Sequence, residues 1–331
     1  LLVVNFLTLM TEFAAIALAA RHLGIAPGLA VPLAAVALIV LVGTGSFRRW
    51  ERMTLLLCGL NFAWIGLAVL VGPHWGAVVS DTVRPTIPAG GMTGDLIFLM
   101  IAIVGTTIAP WQLFFQQSCV ADKRLRFIDL RAARIDTALG AVAVVVFAGC
   151  MVLVGDAMHR FALPYEDPAQ MATALTGHIG HFGQAAILLL MINAALLGAT
   201  AISLSSAWAW GEVMGWRNTL QARLSQAPHF YAAYAVCVAA AAGLVLLPGA
   251  PLQAIILAVQ VLAGVMLPAA IIFLQLLLND REMLGERFAN RPWNNWINWT
   301  VIALLFALSF LLVGQVLSPD LFPSAIAQTG A

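Results

Sequence analysis

Apolar stretches of membrane-spanning length constrain this chain more than any other feature of its sequence. A helix needs about 20 mostly apolar residues to cross a bilayer, and nine stretches meet that requirement. With 62% hydrophobic and only 9% charged residues, the chain carries more apolar side chain than a soluble globule does. The sequence therefore predicts an all-α integral membrane protein with a single transmembrane domain over residues 1–331. The predicted spans are approximately 1–20, 27–45, 53–72, 95–119, 135–155, 183–214, 231–248, 251–277 and 298–317.

Lysine and arginine residues indicate how these spans are oriented. Thirteen of the sixteen follow the second, fourth, sixth or eighth span and so fall on one side of the membrane. Because cytoplasmic loops carry the excess of positive charge, we expect that side to be the cytoplasm, the C-terminus to be outside, and the protein to lie in the inner (plasma) membrane. The net charge of +1 and the absence of a basic stripe exclude nucleic acid as an expected partner. The expected surroundings are the lipid bilayer.

The fourth span contains a break near its middle. Gly105, Thr106 and Thr107 are weak helix formers, and Pro110 removes an amide donor, so carbonyl groups at mid-membrane lose their helical partners. Such backbone is tolerated where it is buried in protein or lines a cavity, and paired half-helices form ion sites in secondary transporters. The freed carbonyls and threonine hydroxyls are hard oxygen ligands suited to a cation. A proline kink used only for packing is the alternative, and the residues that make a site the preferred interpretation are Trp111, Gln112, Gln116 and Gln117.

Polar side chains in other spans are further candidates. Glu12 is a carboxylate deep in an apolar span, where an ionisable group is by default a functional candidate. It could guide a cation, accept a proton, or be a structural glutamate that faces the cytoplasm or is hydrogen-bonded. Gln260 could orient a hydrated ion or hydrogen-bond a neighbouring helix. Asn193, Ser203, Ser205 and Ser206 are expected to pack between helices.

Signatures of catalysis are missing from the sequence. It contains no HExxH, GxSxG, Walker or GxGxxG motif in a suitable context, and its four cysteines lack CxxC spacing. A membrane-embedded enzyme would need a convergent nucleophile or metal cluster. We therefore expect neither an enzyme nor a cofactor.

The broken span resembles the sixth helix of the NRAMP family of divalent-metal transporters, and most closely that of its magnesium-transporting branch. Members have eleven or twelve spans in a LeuT-type inverted repeat and hold the ion between broken helices one and six, the sixth carrying Ala-x-x-Met-Pro-His. The similar segment here is Gly-Thr-Thr-Ile-Ala-Pro-Trp-Gln-Leu-Phe-Phe-Gln-Gln-Ser. It places Thr106 at the Ala whose carbonyl binds metal, Ala109 at the Met and Trp111 at the His. Gln116 falls on a second His position.

Two further helices resemble the family pattern. Met-Thr-Glu-Phe-Ala-Ala looks like the third-helix Asp-Leu-Ala-Glu stretch, with Glu12 at the Asp and Ala15 at the Glu, and the run around Gln260 is similar to the tenth helix. The resemblance implies that the chain corresponds to helices three to eleven, and that the first two helices, with half of the metal site, are missing N-terminal helices of the same protein. The implied metal ligands are Thr106, Thr107, Ala109 and Gln260. The implied lining of the permeation path is Gly105, Pro110, Trp111, Gln112, Gln116 and Glu12.

Departures from the family pattern indicate the substrate. Where conventional members have a methionine thioether, a soft ligand that favours manganese and iron, this chain has Ala109. Magnesium dehydrates reluctantly and suits a wider, oxygen-only site that retains water. Loss of both sixth-helix histidines and of the third-helix Glu implies weak or no proton coupling. The sequence thus predicts magnesium transport with manganese also admitted; the alternatives are proton-coupled manganese or iron transport of the conventional type and an amino-acid transporter of the same architecture, which lacks a motif match.

Overall fold

The computed structural model of the chain describes residues 1–84, 96, 99–100, 102–104, 109–165, 167–247, 249, 252–286 and 288–317. These residues form α-helices and one 3-10 turn, Phe127–Asp129, and no strand occurs among them. Residues 102–104 are also helical. The all-α prediction is therefore confirmed for the described part of the chain. The helices are α1 (Leu2–His22), α2 (Pro27–Gly43), α3 (Phe47–Leu60), α4 (Ala63–Leu70), α5 (Trp75–Val83), α6 (Pro110–Asp122), α7 (Leu130–Arg160), α8 (Pro168–Ala174), α9 (Thr176–Met214), α10 (Pro228–Val245), α11 (Leu252–Asn279), α12 (Arg281–Leu284) and α13 (Pro292–Leu317).

Seven helices within the described residues are long and apolar enough to cross a membrane. The shorter apolar helix α2 coincides with the second predicted span. Of the fourth predicted span, 95–119, the structure describes Ala109 onward and only a few residues before it, so the count of nine stays a prediction. The chain is nevertheless a multi-pass membrane protein. The seven helices are Leu2–His22, Phe47–Leu70, Phe127–Arg160, Thr176–Met214, Pro228–Val245, Ala258–Asn279 and Pro292–Leu311.

The third span differs from its predicted bounds of 53–72. It begins six residues earlier, at α3, because Ser46 caps the helix by accepting a hydrogen bond from the backbone N–H of Arg49 at 3.4 Å. It is also interrupted at Asn61 and Phe62, between α3 and α4. The side-chain amide of Asn61, which follows the last residue of α3, donates to the carbonyl of Leu57 in the last turn of that helix at 3.4 Å. A side chain that bonds its own backbone competes with the helical pattern, which explains an interruption that hydropathy alone does not show.

The sixth span is longer than predicted and contains one kink. α9 starts at Thr176 rather than 183, and within it Gly180 has φ 70 and ψ 172. A residue with a side chain rarely adopts a positive φ, so glycine at this position allows the chain to turn. The helix beyond Gly180 includes residues 183–214 and ends at Met214.

One compact unit of the fold comprises Leu1–Val83 and Phe114–Gln253. In it, α1 packs along α9 and also contacts α2 and α10. Asn5 Nδ2 donates to Ser206 Oγ at 3.0 Å, and Trp50 Nε1 donates to Thr200 Oγ1 at 3.0 Å. Asn193 Nδ2 donates to a backbone carbonyl of α3 at 3.1 Å. The predicted packing between helices is confirmed for Asn193 and Ser206. The Ser203 hydroxyl instead donates to the Ala199 carbonyl of its own helix at 2.6 Å.

The helix α7 of this unit is largely exposed. Its apolar side chains Leu139, Val142 and Val145 are each more than half exposed. In a membrane protein such a surface faces lipid tails, which are as apolar as the side chains themselves. Exposure of α7 is thus consistent with a bilayer-facing helix.

The second compact unit comprises Arg84–Leu113 and Ala254–Ala331. Its described part is held at one end by side-chain amides of α11 and α13. Gln275, which is buried, donates from Nε2 to Asn295 Oδ1 at 2.8 Å and accepts at Oε1 from Asn298 Nδ2 at 2.7 Å. Asn295 Nδ2 in turn donates to Asn279 Oδ1 at 2.6 Å. Each of these side-chain amides is hydrogen-bonded to another. Burying them without partners would be costly, but paired in this way they join α11 to α13.

Candidate functional site

The helix α6 begins at Pro110, inside the predicted fourth span. Ala109 precedes the helix, and Pro110 occupies its first position, where the missing N–H has no helical partner to lose. Gln112 Oε1 accepts a hydrogen bond from the Ala109 N–H at 3.2 Å, and the Gln112 N–H donates to the Ala109 carbonyl at 3.0 Å. A glutamine at the third helical position that reaches back to the capping residue forms half of a capping box. The Ala-Pro-Trp-Gln sequence therefore sets where this helix starts.

The residue ahead of the helix is buried and small. Ala109 is 4% exposed, and Pro110 is also buried. The half-buried Trp111 follows them. The only side-chain atom that Ala109 offers is a methyl group, so any metal bound at this position would meet backbone oxygen rather than sulfur.

Gln260 is carried by α11 and is half-buried. The adjacent residue Val261 forms a buried cluster with Ala102, which belongs to the helical residues 102–104. Ala102, which precedes the predicted break, thus lies beside the turn of α11 that carries Gln260. Both elements belong to the second compact unit.

Three of the predicted site residues, Gly105, Thr106 and Thr107, lie outside the described residues. Their roles as ligands and lining, together with those of Ala109 and Gln260, stay predictions. In the part of the chain that the structure describes, no three side chains of His, Cys, Asp or Glu cluster as a metal site. A site composed of carbonyl, hydroxyl and amide oxygens would need no such cluster.

Glu12 lies on α1 in the first compact unit, beside Gly198 of α9. A Cβ atom added to Gly198 would lie 2.6 Å from the carboxyl carbon of Glu12 and 3.0 Å from its Oε2. None of the hydrogen bonds or ion pairs among the described residues involves Glu12. The neighbouring hydroxyl of Thr11 donates to a carbonyl of its own helix at 2.7 Å. The position of the Glu12 carboxylate is therefore set by contact with α9 at Gly198 rather than by a hydrogen-bond donor.

Gln116 is exposed on α6, also in the first unit. The ring of its neighbour Phe115 lies between those of Trp50, at 5.9 Å, and Trp208, at 5.8 Å. These aromatic contacts fix this part of α6 on α3 and α9. Because Phe115 and Gln116 are adjacent in α6, the ring contacts of Phe115 also fix the direction in which the Gln116 side chain points from the helix.

At the end of α6 the structure shows a cluster that the sequence did not predict. The Asp122 carboxylate accepts hydrogen bonds from the Thr219 hydroxyl and, at 3.2 Å, from the Leu220 N–H. Gln221 Nε2 donates to the Asp122 carbonyl at 2.7 Å. We call these four residues the Asp122 cluster. Two segments about a hundred residues apart meet here, and no local pattern in the sequence pairs them.

Electrostatics of this cluster are dominated by burial. Asp122 lies beyond the fourth predicted span and is 9% exposed. Burial raises the pKa of its carboxyl above the usual range, while the hydrogen bonds from Thr219 and Leu220 lower it in part. Beside it, Lys123 Nζ pairs with Glu51 Oε1 at 2.6 Å. The Asp122 cluster thus ties the end of α6 to the loop after α9, and the neighbouring ion pair ties it to α3.

These helices define the chain as a multi-pass membrane protein in which one helix starts at a buried Ala-Pro step. A family model described as Natural resistance-associated macrophage protein-like, Nramp, matches residues 1–315. Because the match extends over nearly the whole chain, the chain belongs to the Nramp family. The resemblance predicted from the broken span is confirmed at the level of the family, and assignment to its magnesium-transporting branch stays a prediction.

Individual relatives agree with this assignment. The chain is 26% identical over 291 residues to the divalent metal cation transporter MntH 1 of Pseudomonas aeruginosa, which covers 83% of this chain and 64% of that protein. It is 26% identical over 285 residues to the divalent metal cation transporter MntH of Ralstonia nicotianae, which covers 82% and 62%. A shorter similarity, 40% over 58 residues, links it to MntH of Lacticaseibacillus casei and covers 18% and 12%. The chain spans less than two thirds of the length of the first two relatives.

Proposed function

We propose that the protein transports divalent metal cations across the plasma membrane. Magnesium is the principal substrate, manganese is also admitted, and proton coupling is weak or absent. Membership of the Nramp family and the activity for which the relatives are named, divalent metal cation transport, support the general activity. The observation that carries the choice of magnesium is the buried alanine at the start of α6.

The chemistry of Ala109 favours a hard cation. A methyl group cannot coordinate a metal, so the position lacks the soft thioether expected of a manganese or iron site. The smaller side chain also leaves room for the water that magnesium retains. In our proposal, carbonyl and hydroxyl oxygens of Thr106 and Thr107 and the amide oxygen of Gln260 complete the coordination.

The membrane voltage can drive the entry of a divalent cation without proton coupling. Moving two positive charges through a potential of 100 mV releases about 4.6 kcal/mol. Trp111 and Gln116 occupy the positions at which the resemblance implies histidines, and neither side chain titrates near neutral pH. We therefore propose that alternating access around the broken helix moves the ion down its electrochemical gradient, with the C-terminus outside and with two upstream helices completing a LeuT-type fold.

Proton-coupled manganese or iron transport is the second candidate. One observation favours it, namely the carboxylate of Glu12 within α1, which has no hydrogen-bond donor among the described residues. A carboxylate in that setting is a candidate proton acceptor. The two candidates differ in the ion that enters and in whether the interior acidifies.

Ion uptake tests both candidates. The protein, in the full length in which it is synthesised, is reconstituted into liposomes that contain a pH-sensitive dye, and entry of Mg²⁺ and of Mn²⁺ is followed at fixed voltage. We expect Mg²⁺ entry without acidification. Manganese-only entry with acidification would overturn the magnesium assignment in favour of the second candidate.

A substitution at the start of α6 sharpens this experiment. Ala109→Met adds a soft ligand and should shift the ratio of Mn²⁺ to Mg²⁺ uptake about tenfold towards manganese, equivalent to about 1.4 kcal/mol. The control is Ala141→Met, at an exposed position of α7, which should leave the ratio unchanged. An unchanged ratio in Ala109→Met would refute the role assigned to Ala109.

A further inference from the structure

Gly198 occupies an unusual position among the glycines of the described helices. The three atoms nearest to an added Cβ are all carboxyl atoms of Glu12 on α1, the carbon at 2.6 Å and Oε2 at 3.0 Å among them. The glycines of α7 and α10, by contrast, have nothing within 4 Å of such an atom. The space left by the missing side chain of Gly198 is therefore occupied by the carboxyl group of Glu12 on α1.

Nothing else among the described residues holds that carboxylate. The hydroxyls of Thr8 and Thr11, one turn before Glu12 and next to it, donate to the carbonyls of Val4 and Thr8 within α1, at 2.8 and 2.7 Å. On α9, the hydroxyl of Ser203 donates to a carbonyl of its own helix at 2.6 Å. Each of these donors is used locally, so the carboxylate lies against the bare backbone of α9 and receives no hydrogen bond from them.

We propose that Gly198 is a positioning residue for cation transport: the bare backbone of α9 at this point fixes the carboxylate of Glu12 in the ion path. The inference rests on the proposed transport function and extends it to a residue that coordinates nothing itself. An ionised carboxylate inside a membrane protein attracts a passing cation with an energy that falls in inverse proportion to their separation. Displacing it should therefore affect transport more than folding.

Geometry sets the size of the displacement. In Gly198→Ala the carboxyl carbon would have to move from 2.6 Å to at least the 3.4 Å at which ordinary contact begins. The group that must move is the end of a flexible side chain, so rotation of Glu12 relieves the clash without moving either helix. We expect Gly198→Ala to fold normally with its carboxylate in the wrong place.

The experiment measures Mg²⁺ and Mn²⁺ uptake into proteoliposomes by the full-length protein and four variants. Gly198→Ala should lower the maximal rate about tenfold, with a melting temperature close to that of the wild type. Gly243→Ala, on α10 where an added Cβ meets nothing within 4 Å, is the matched control and should transport as the wild type does. Glu12→Asp shortens the side chain by one methylene, so adding Gly198→Ala to it should have no further effect on the rate.

The outcomes separate the inference from the function on which it rests. Wild-type rates in Gly198→Ala would overturn the positioning role while leaving transport intact. If Gly198→Ala causes the same loss in the wild-type and Glu12→Asp backgrounds, or a loss that follows the melting temperature, the glycine serves only helix packing and the positioning role is again overturned. If the wild type moves neither cation, the proposed function itself fails and the inference fails with it.

Discussion

Removal of the Asp122 side chain should destabilise the first compact unit by about 1–2 kcal/mol. In Asp122→Ala the N–H of Leu220, which is fully buried, loses the acceptor that it reaches at 3.2 Å. An orphaned buried donor costs about 1–3 kcal/mol. The Thr219 hydroxyl is only half-buried and can turn to water, and the bond from Gln221 goes to the Asp122 backbone and survives. Burial of the charge already opposes folding, which offsets part of the loss.

Asparagine at the same position provides the matched comparison. In Asp122→Asn the amide oxygen can still accept from the Leu220 N–H, while the amide nitrogen can donate to the Thr219 hydroxyl oxygen. We expect a cost below about 0.5 kcal/mol. Asp156→Ala is the exposed control. It removes the ion pair between Asp156 Oδ2 and Arg160 Nε, 2.8 Å apart near the end of α7, and this loss should cost about 0–1 kcal/mol.

Thermal denaturation of the purified variants in lipid nanodiscs checks these values. Asp122→Ala should melt several degrees below the wild type, and Asp122→Asn should melt within a degree or two of it. Equal melting temperatures for Asp122→Ala and the wild type would refute the assignment of the buried Leu220 N–H to this carboxylate. If Asp122→Ala and Asp122→Asn lowered the melting temperature equally, the charge of Asp122 rather than its hydrogen bonds would be the source of its effect on stability.

The pH dependence of the melting temperatures tests the contribution of the Asp122 charge to stability. Burial raises the pKa of Asp122 above its usual value of 3.8. Since the folded-state pKa is the higher one, the contribution of this group to stability is fully present below a pH of about 3.8 and is lost as pH rises through the folded-state pKa. On acidification from neutral pH, the melting temperature of the wild type should therefore rise relative to that of Asp122→Asn. A constant difference would contradict the burial of the charged group.

Three further substitutions have measurable consequences. Gln275→Leu leaves the Asn298 amide of α13 without its acceptor and removes one of the two donors to Asn295 Oδ1, which keeps its bond from Asn279 Nδ2 at 3.0 Å. It should cost about 1–3 kcal/mol in thermal denaturation; no loss would mean that the Asn298 amide re-pairs or hydrates. Trp50→Phe removes the 3.0 Å bond to the buried Thr200 hydroxyl and should cost about 1 kcal/mol by the same assay, whereas a neutral result would show that this hydroxyl has an alternative partner. Gln112→Leu frees the Ala109 N–H at the start of α6 and should lower the rate of Mg²⁺ uptake several-fold; an unchanged rate would remove any link between this cap and transport.

Local signals in the sequence predicted the helices well. Runs of apolar residues predicted helices where α1, α2 and α10 lie, and Pro110, the first residue of α6, belongs to the predicted break. These features depend only on residues a few positions apart, because both proline and the reach of Gln112 act within one helical turn. Even the interruption at Asn61 has a local cause, although hydropathy does not show it, since an apolar run continues through the interruption.

Contacts between distant segments could not be predicted in this way. Asp122 and Thr219 are 97 positions apart, and no periodicity relates them. Gly198 and Glu12 are still farther apart in sequence, and a glycine inside an apolar run does not indicate which residue it contacts. Such pairs depend on how α1, α6 and α9 pack, which is decided by the whole core rather than by any one segment.

Polarity at the start of α6 limits which atoms can serve a cation. A helix N-terminus carries the positive end of the helix dipole and exposes unpaired N–H groups, and both repel a metal ion. Here Pro110 contributes no N–H at all, and the N–H of Ala109 is turned towards Gln112 Oε1. These two residues therefore remove the nearest donors that would oppose a cation. In our proposal, the favourable oxygens come from Thr106, Thr107 and Gln260, and Gln260 lies next to the packed pair Ala102 and Val261.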